Sequence, residues 1–199
     1  GNDVICADSD EAKLRKQGKA IDRLNATLRG FRVLKGAEVN IRKDGTLDIS
    51  DDALAELDVV GVAVHSHFNL PRAEMTARVI RAMRNPHADI LFHPTGRVIQ
   101  RREPVDLDID AVIAAARETG TVLEIDALPD RLDLKDDHIR KAIEAGVKLV
   151  IDSDAHAIAH LRFPDEYGID QARRGWATRD DVINTYPVEK FLAALKGER

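Results

Sequence analysis

Short apolar runs alternate with helical segments along this chain, and the alternation constrains the fold more than any other feature. The segments between the runs place apolar residues at helical spacing, as at Met75, Val79 and Met83. β-Branched runs joined by helices predict a parallel sheet covered by helices. The sequence therefore predicts one α/β domain over residues 1–199. The five runs, too few for a closed barrel, are FRVLKGAEV, DVVGVAVHS, ADILFHP, TVLEIDA and KLVIDSDAH.

Acidic and histidine side chains stand at the ends of four of these runs. They are Glu38, His65, His93, and Asp154 with His156. The carboxyl ends of parallel strands meet at one edge of a sheet, so we expect these side chains to gather there. Imidazole and carboxylate ligands suit divalent cations. The pattern predicts metal-assisted hydrolysis of a phosphate ester.

Each candidate also has an ordinary structural interpretation. A lone histidine at a strand end is more often a hydrogen-bonded structural residue, and Asp154 could cap a turn. The recurrence of such residues at four strand ends favours the metal site, because they are rarely buried without partners. His67, Asp126 and Asp152 are candidates for orienting the ligands or substituting for them. Arg97, four residues after His93, is a candidate phosphate clamp.

Composition narrows the class of protein. A net charge of −5 argues against a uniformly basic nucleic-acid binder but leaves open a nuclease whose cations attract the phosphate. Cys6 is the only cysteine, which excludes a disulfide framework and a thiolate zinc site. We see no membrane-spanning apolar stretch and no signal peptide, and so predict a cytoplasmic location.

Several stretches resemble the PHP (polymerase and histidinol phosphatase) domain at the carboxyl end of bacterial family X DNA polymerases. The similarity covers about Asp10 to Arg199. It is carried by GAEV, VAVHSHFN, HPTGR followed by RREP, LEIDALPDRLDL, VIDSDAHA and ARRGWATRDDVINTYP. The resemblance implies a distorted, TIM-like (β/α)7 barrel that holds a three-metal cluster. It also implies a manganese-dependent 3′–5′ exonuclease or 3′-end phosphodiesterase in DNA repair.

The resemblance also implies roles for single residues. The family's metal ligands fall on Glu38, His65, His93, Asp154 and His156, and its catalytic positions include Asp154 and Arg97, the phosphate contact. The implied cofactor is a divalent metal, with manganese preferred and zinc or magnesium as alternatives. The implied partners are gapped or damaged DNA 3′ ends and a polymerase domain in cis, with a nucleoid-associated location and no membrane.

The chain departs from the family pattern at its beginning. It has no His-x-His pair and no Asp-His step of the kind that opens the family pattern, so we expect it to lack the first strands of the barrel. On this interpretation Glu38, His65 and His93 form one metal site. A second site keeps Glu38 and Asp154, and a third keeps only His156.

Three functions therefore stay open. The first is a phosphodiesterase acting on DNA 3′ ends as part of a repair polymerase. The second is a small-molecule phosphatase of the histidinol-phosphatase type, against which the RREP and RRGW motifs weigh. The third is a degenerate, non-catalytic scaffold or DNA-binding module, which the missing ligands favour.

Overall fold

The computed structural model describes residues 8–195, with side chains from Glu11 onward, so Cys6 lies outside the described residues. The helices are α1 (Asp8–Asn25), α2 (Asp51–Leu54), α3 (Arg72–Met83), α4 (Ile109–Thr119), α5 (Asp136–Glu144), α6 (Ile169–Arg174) and α7 (Val188–Ala194). The strands are β1 (Gly36–Asn40), β2 (Val59–Ala63), β3 (Ile90–Leu91), β4 (Val122–Asp126) and β5 (Leu149–Asp152). Among these residues, no helix is both long and apolar enough to cross a membrane.

The five strands form one parallel sheet in which sequence order and spatial order coincide, β1-β2-β3-β4-β5. The predicted α/β class is confirmed. Sequential parallel strands with helical crossovers are the arrangement of a (β/α) barrel. Within residues 8–195 the sheet ends at β1 on one side and β5 on the other, so closure of the seven-stranded barrel stays a prediction.

The two faces of the sheet carry different side chains, as the period-2 alternation of a strand requires. One face contributes Val39, Val62, Leu123 and Ile125 to the large core that also contains α3 and α4. The opposite face is apolar only near the amino ends of the strands, where Ile90, Val122 and Val150 pack with Ile183 and Leu195. Toward the carboxyl ends this second face turns acidic, through Glu38, Glu124, Asp126 and Asp152.

One glycine on the acidic face is required by packing. A Cβ on Gly61 would lie 1.8 Å from the ring of Phe92. Gly61 pairs with Glu38 on the neighbouring strand. The missing side chain lets the Phe92 ring lie against β2, directly beside the position that carries the first candidate ligand.

Some predicted elements are shorter in the structure, because side chains form hydrogen bonds to the backbone groups at their ends. Lys35 donates its backbone N–H to the Asp58 carboxylate at 2.7 Å, and β1 starts only at Gly36. In the ADILFHP run, the backbone N–H of His93 bonds to the Glu124 carboxyl group, and β3 ends at Leu91. Asn25 binds the backbone of Val33 through both atoms of its amide, at 2.8 Å each, where α1 ends.

Candidate metal centre

Three of the predicted ligands meet at the carboxyl edge of β1, β2 and β3. Glu38 lies in the middle of β1, while His65 and His93 each follow their strand by two residues. Glu38 Oε1 is 3.0 Å from His65 Nε2 and 2.8 Å from His93 Nε2. The three ligand atoms lie within 4.8 Å of one another, a spacing that fits a single cation. We call Glu38, His65 and His93 the triad.

The triad holds its carboxylate in the ionised form. Burial raises the pKa of Glu38, but the hydrogen bonds from His65 and His93 outweigh it, and the pKa lies well below the ordinary value. The two imidazole rings meet edge to face, with centroids 5.3 Å apart. His93 is buried, whereas the side chains of His65 and Glu38 are 33% and 38% exposed, so the site opens to solvent on the side of His65 and Glu38.

A buried arginine fixes the segments that follow β1 and β2, and the sequence analysis did not identify it. Arg78 of α3 is 2% exposed. Its guanidinium donates to the carbonyl oxygens of Arg42 at 2.9 Å, Ser66 at 2.8 Å and Ile41. The sequence does contain a sign of this role, since Arg78 lies on the otherwise apolar face of α3, one residue before Val79. A charge at such a position is rarely buried unless it is paired.

The other predicted ligands lie at the end of β5, apart from the triad. Asp154 Oδ2 is 3.3 Å from Arg131 Nε, and the same nitrogen is 3.4 Å from Asp126 Oδ2. His156 is largely exposed, with its Nδ1 2.7 Å from the carbonyl oxygen of Asp154. Among residues 8–195 only the triad places at least three ligand atoms close together, so the ligand roles of Asp154 and His156 stay predictions. We call Asp126, Asp152, Asp154 and Arg131 the acidic end.

Burial raises the pKa values of several carboxyl groups at and beside the acidic end. Burial first, and then repulsion from Asp152, raises the pKa of Glu124 well above its ordinary value. Burial also raises the pKa of Asp152, and the two carboxyl groups share a hydrogen bond that needs a proton. Burial raises the pKa of Asp126 to about 8, against the hydrogen bond from the Leu128 N–H. Asp126 and Asp152 thus lie beside Asp154, and their expected role in orienting ligands or substituting for them stays a prediction.

Glu124 connects the two parts of the site, which the sequence analysis missed. Its carboxyl group accepts the backbone N–H of His93 and shares a hydrogen bond with Asp152. His93 and Asp154 both adopt a positive φ, 28° and 42°, which non-glycine residues rarely do. Such strain persists where surrounding contacts fix it, and it often marks functional sites. Glu124 supplies one of these contacts for His93.

Two further candidates have different surroundings from those expected. Arg97 donates to the carbonyl oxygens of Arg131, at 2.7 Å, and of Leu132. Its guanidinium thus holds the loop that carries Arg131, and the predicted phosphate contact stays a prediction. His67 is exposed, has a φ of 53°, and is not a member of the triad. It faces a neighbouring cavity instead.

Curated proteins similar to this chain include a polymerase and several phosphatases. The DNA polymerase/3′-5′ exonuclease PolX of Bacillus subtilis is 47% identical over 184 residues, 92% of this chain and 32% of that protein. A probable phosphatase of Thermoanaerobacter sp. is 32% identical over 183 residues, 86% of this chain and 71% of that protein. A probable phosphatase of Shewanella oneidensis is 32% identical over 172 residues, 82% of this chain and 62% of that protein. No protein-family model matches the chain.

The polymerase and the phosphatases differ in how much of their length this chain spans. The chain spans about a third of the length of the Bacillus polymerase but most of the Thermoanaerobacter phosphatase. The shared unit is therefore a phosphatase-sized domain, which the polymerase contains beside other sequence. Together with the triad at the carboxyl edge of a sequentially ordered parallel sheet, this shows that the chain belongs to the PHP domain family of hydrolytic enzymes.

Proposed function

We propose that this chain is a divalent-metal-dependent phosphoesterase domain that acts on DNA 3′ ends as part of a family X repair polymerase. The triad carries the proposal, because one ionised carboxylate and two imidazole nitrogens within 4.8 Å of one another are a donor set that can hold a divalent cation. The similarity to a protein named as a polymerase and 3′-5′ exonuclease supports DNA as the substrate and a polymerase domain in cis. With DNA as the substrate, we also propose a cytoplasmic, nucleoid-associated location.

The donor set fits a divalent cation, and we propose Mn²⁺, with Zn²⁺ or Mg²⁺ as alternatives. Glu38, His65 and His93 offer one oxygen and two nitrogens; the imidazoles suit Zn²⁺, the carboxylate suits Mn²⁺ and Mg²⁺, and no thiolate restricts the set to softer metals. Without metal, each Nε2 faces Glu38 Oε1, so a cation bound at Nε2 would require each imidazole to be neutral with its remaining proton on Nδ1. Protonated imidazoles cannot bind a cation, so metal affinity should weaken at low pH. A bound divalent cation supplies Lewis-acid polarisation of the phosphoryl group.

The remaining residues orient groups and handle protons in this proposal. Arg131 holds the Asp154 carboxyl group at the carboxyl edge, where it is placed to act as the general base toward an attacking water. Glu124 fixes the backbone at His93, and Arg78 fixes the backbone beyond Glu38 and His65. His156 stands at the solvent-exposed rim beside Asp154, where it can contact a substrate or a further cation.

A second candidate function is hydrolysis of a small phosphate monoester. Two relatives that match more than four-fifths of this chain are named probable phosphatases. The two functions differ in substrate, because a monoester phosphatase releases inorganic phosphate and a 3′-exonuclease releases nucleotides from a chain end.

The decisive experiment compares both substrates on the same metal-loaded protein. The chain is incubated with Mn²⁺ and either a 5′-labelled single-stranded oligonucleotide or p-nitrophenyl phosphate. We expect stepwise shortening of the oligonucleotide, its loss with EDTA, and its loss in Glu38→Gln. The matched control is Glu118→Gln, an exposed carboxylate on α4. Cleavage of the monoester alone would establish the phosphatase, and cleavage of neither would establish the non-catalytic scaffold.

A further inference from the structure

A cavity of about 700 Å³ is built from the segments that follow the three triad strands. Its walls are residues 67–70 after β2 and residues 102–105 after β3, with Lys43 from the turn after β1. Segments that follow parallel strands lie at the carboxyl edge of the sheet, where they determine substrate choice in barrel enzymes. The cavity therefore lies at the same edge as the triad.

Hydrogen bonds tie the cavity wall to the residues around His93. Arg102 donates from Nε to the carbonyl oxygen of Gly96 at 2.8 Å, and the Gly96 N–H bonds back to the His93 carbonyl oxygen at 2.8 Å. The Val105 N–H bonds to the Thr95 carbonyl oxygen at 2.9 Å. The other wall begins at His67, two residues beyond His65. The cavity is thus held in register with both triad histidines.

The cavity contains a flat cationic surface. The Arg102 guanidinium carbon lies 4.3 Å from the centroid of the Phe68 ring, and Phe68 packs against the main core. A guanidinium supported by an aromatic ring presents its outer face to a further planar group. Burial lowers the pKa of Arg102 from its very high ordinary value, but the group stays charged at neutral pH.

The charges of the cavity suit an anion chain better than a neutral ligand. Lys43 and Arg102 are opposed by one carboxylate, Glu103, which is exposed to solvent. This local positive excess stands against a net charge of −5 for the whole chain. A planar stacking surface beside an exposed lysine is the combination that binds single-stranded nucleic acid, through base stacking and phosphate contact.

We propose that this cavity binds one nucleotide of a DNA single strand next to the phosphodiester at the triad. The base stacks on the Phe68-supported Arg102, and Lys43 contacts the neighbouring phosphate. The inference rests on the DNA-substrate part of the proposed function and adds the subsite that distinguishes a polynucleotide from a small phosphate ester.

Equilibrium binding of a labelled oligothymidylate tests the subsite without requiring turnover. With an oligonucleotide of about eight residues, we expect Phe68→Leu to weaken binding about 10-fold, because it removes the ring that holds the Arg102 guanidinium in the position where the base stacks. Lys43→Ala should weaken it by a smaller factor and reduce the salt dependence by about one phosphate contact. The matched controls are Phe31→Leu and Lys16→Ala, exposed residues outside the cavity, which should bind like the parent. Thermal unfolding identifies a Phe68→Leu protein that fails to fold, in which case exposed Lys43 decides.

Turnover separates the subsite from the proposed function. With Mn²⁺, the cavity variants should raise KM for the oligonucleotide and leave hydrolysis of bis(p-nitrophenyl) phosphate, which has no base, unchanged. A parent that binds no oligonucleotide, or variants that bind like their controls, would overturn the subsite even if the parent is an active esterase. A parent that binds through the cavity but cleaves neither diester would overturn the proposed catalysis and leave the subsite standing.

Discussion

The triad and the acidic end occupy the same edge of one sheet, yet their electrostatics are opposite. In the triad, one carboxylate is paired with two imidazoles, and the pKa of Glu38 is lowered despite burial. At the acidic end, the single cation Arg131 faces two carboxylates, Asp126 and Asp154. Asp126 Oδ2 and Arg131 Nη1 are buried there without a hydrogen-bond partner among the described residues, and in the triad only His93 Nδ1 is so left.

The difference shows how much of each region is assembled before a cation binds. The triad is a complete ligand set whose members already fix one another. The acidic end has unsatisfied hydrogen-bonding groups, and burial disfavours the charged form of its carboxyl groups, raising the pKa values of Asp126 and Asp152. Buried unsatisfied groups are costly, so a second cation or a substrate bound at this end would stabilise it. The first metal ion should bind to the triad, and most tightly there, because its ligands are already in place.

The largest expected effect tests that order of affinity. Glu38→Gln keeps the shape of the side chain but removes the charge shared by both imidazoles, and we expect Mn²⁺ affinity to fall by about 100-fold or more. Asp154→Asn should lower it about 10-fold or less, because Asp154 lies outside the triad. Isothermal titration calorimetry on metal-free protein measures both. Equal losses in the two variants would show that the regions form one site.

The next effect separates ligand binding from packing within the triad. His93 is 4% exposed at its side chain and His65 is 33% exposed. In metal-free protein, His93→Ala should lower the free energy of unfolding by about 2–3 kcal/mol, because it empties a packed position. His65→Ala should change it by about 0.5 kcal/mol or less. Both should lose metal. Urea unfolding in EDTA gives the comparison, and equal stability of the two variants would contradict it.

Sequence patterns identified the triad because its signal is local. Glu38, His65 and His93 each follow an apolar run, and a parallel sheet brings such positions together whatever the exact strand ends are. The strand order and the helical crossovers were predictable for the same reason. Element ends were not, because single side chains such as Asp58 and Asn25 capture the backbone there.

The connections of the site could not be read from local patterns. Arg97 follows a strand-end histidine just as a phosphate clamp would, but its guanidinium bonds to a loop 34 and 35 residues further along the chain. In the sequence, Glu124 lies within an apolar run and resembles an ordinary strand residue. Its role is visible only in the structure, where β3 and β5 bring His93 and Asp152 beside it. Long-range hydrogen bonds of this kind depend on tertiary packing, which leaves no periodicity in the sequence.

The next prediction concerns the acidic end and how the free energy of unfolding depends on pH. The pKa of Asp126 rises from 3.8 to about 8, mainly through burial. Between about pH 4 and pH 8 the folded protein therefore keeps a proton that the unfolded chain releases, and the free energy of unfolding falls as pH rises. Asp126→Asn removes this titration without changing the shape. In EDTA the variant should gain about 3–4 kcal/mol over the parent as pH rises from about 5 to about 8, because each pH unit is worth about 1.4 kcal/mol per proton.

The outcome of this titration distinguishes burial from ion pairing at Asp126. A variant that is less stable than the parent at every pH would show that the pair with Arg131, 3.4 Å away, outweighs the burial of the carboxyl group. Asp180→Asn is the matched control, since Asp180 is exposed and should leave the pH dependence unchanged.

The smallest expected effect is on the stability of the outer edge of β5, the strand that carries Asp152 of the acidic end. β5 is the last strand of the described sheet, and residues 181–184 cover its outer edge. The backbone of Leu149 pairs with this segment, through its N–H to the Asp181 carbonyl oxygen at 2.9 Å. At Ile151, one residue before Asp152, a side chain continues the pairing: the Asn184 amide accepts the Ile151 N–H at 2.7 Å and donates to the Ile151 carbonyl oxygen at 2.9 Å. Asn184→Ala should lower the free energy of unfolding by about 0.5–1 kcal/mol, a small loss because water can replace exposed bonds. Asn184→Asp keeps the hydrogen-bond acceptor but not the donor, so its free energy of unfolding should lie between those of the parent and Asn184→Ala.

Amide hydrogen exchange should show faster exchange at Ile151 in the alanine variant and no change at β1 and β2, where the triad is held by Arg78. Faster exchange at the triad strands as well would mean that the two regions unfold as one unit, and the contrast between them would then be one of charge alone.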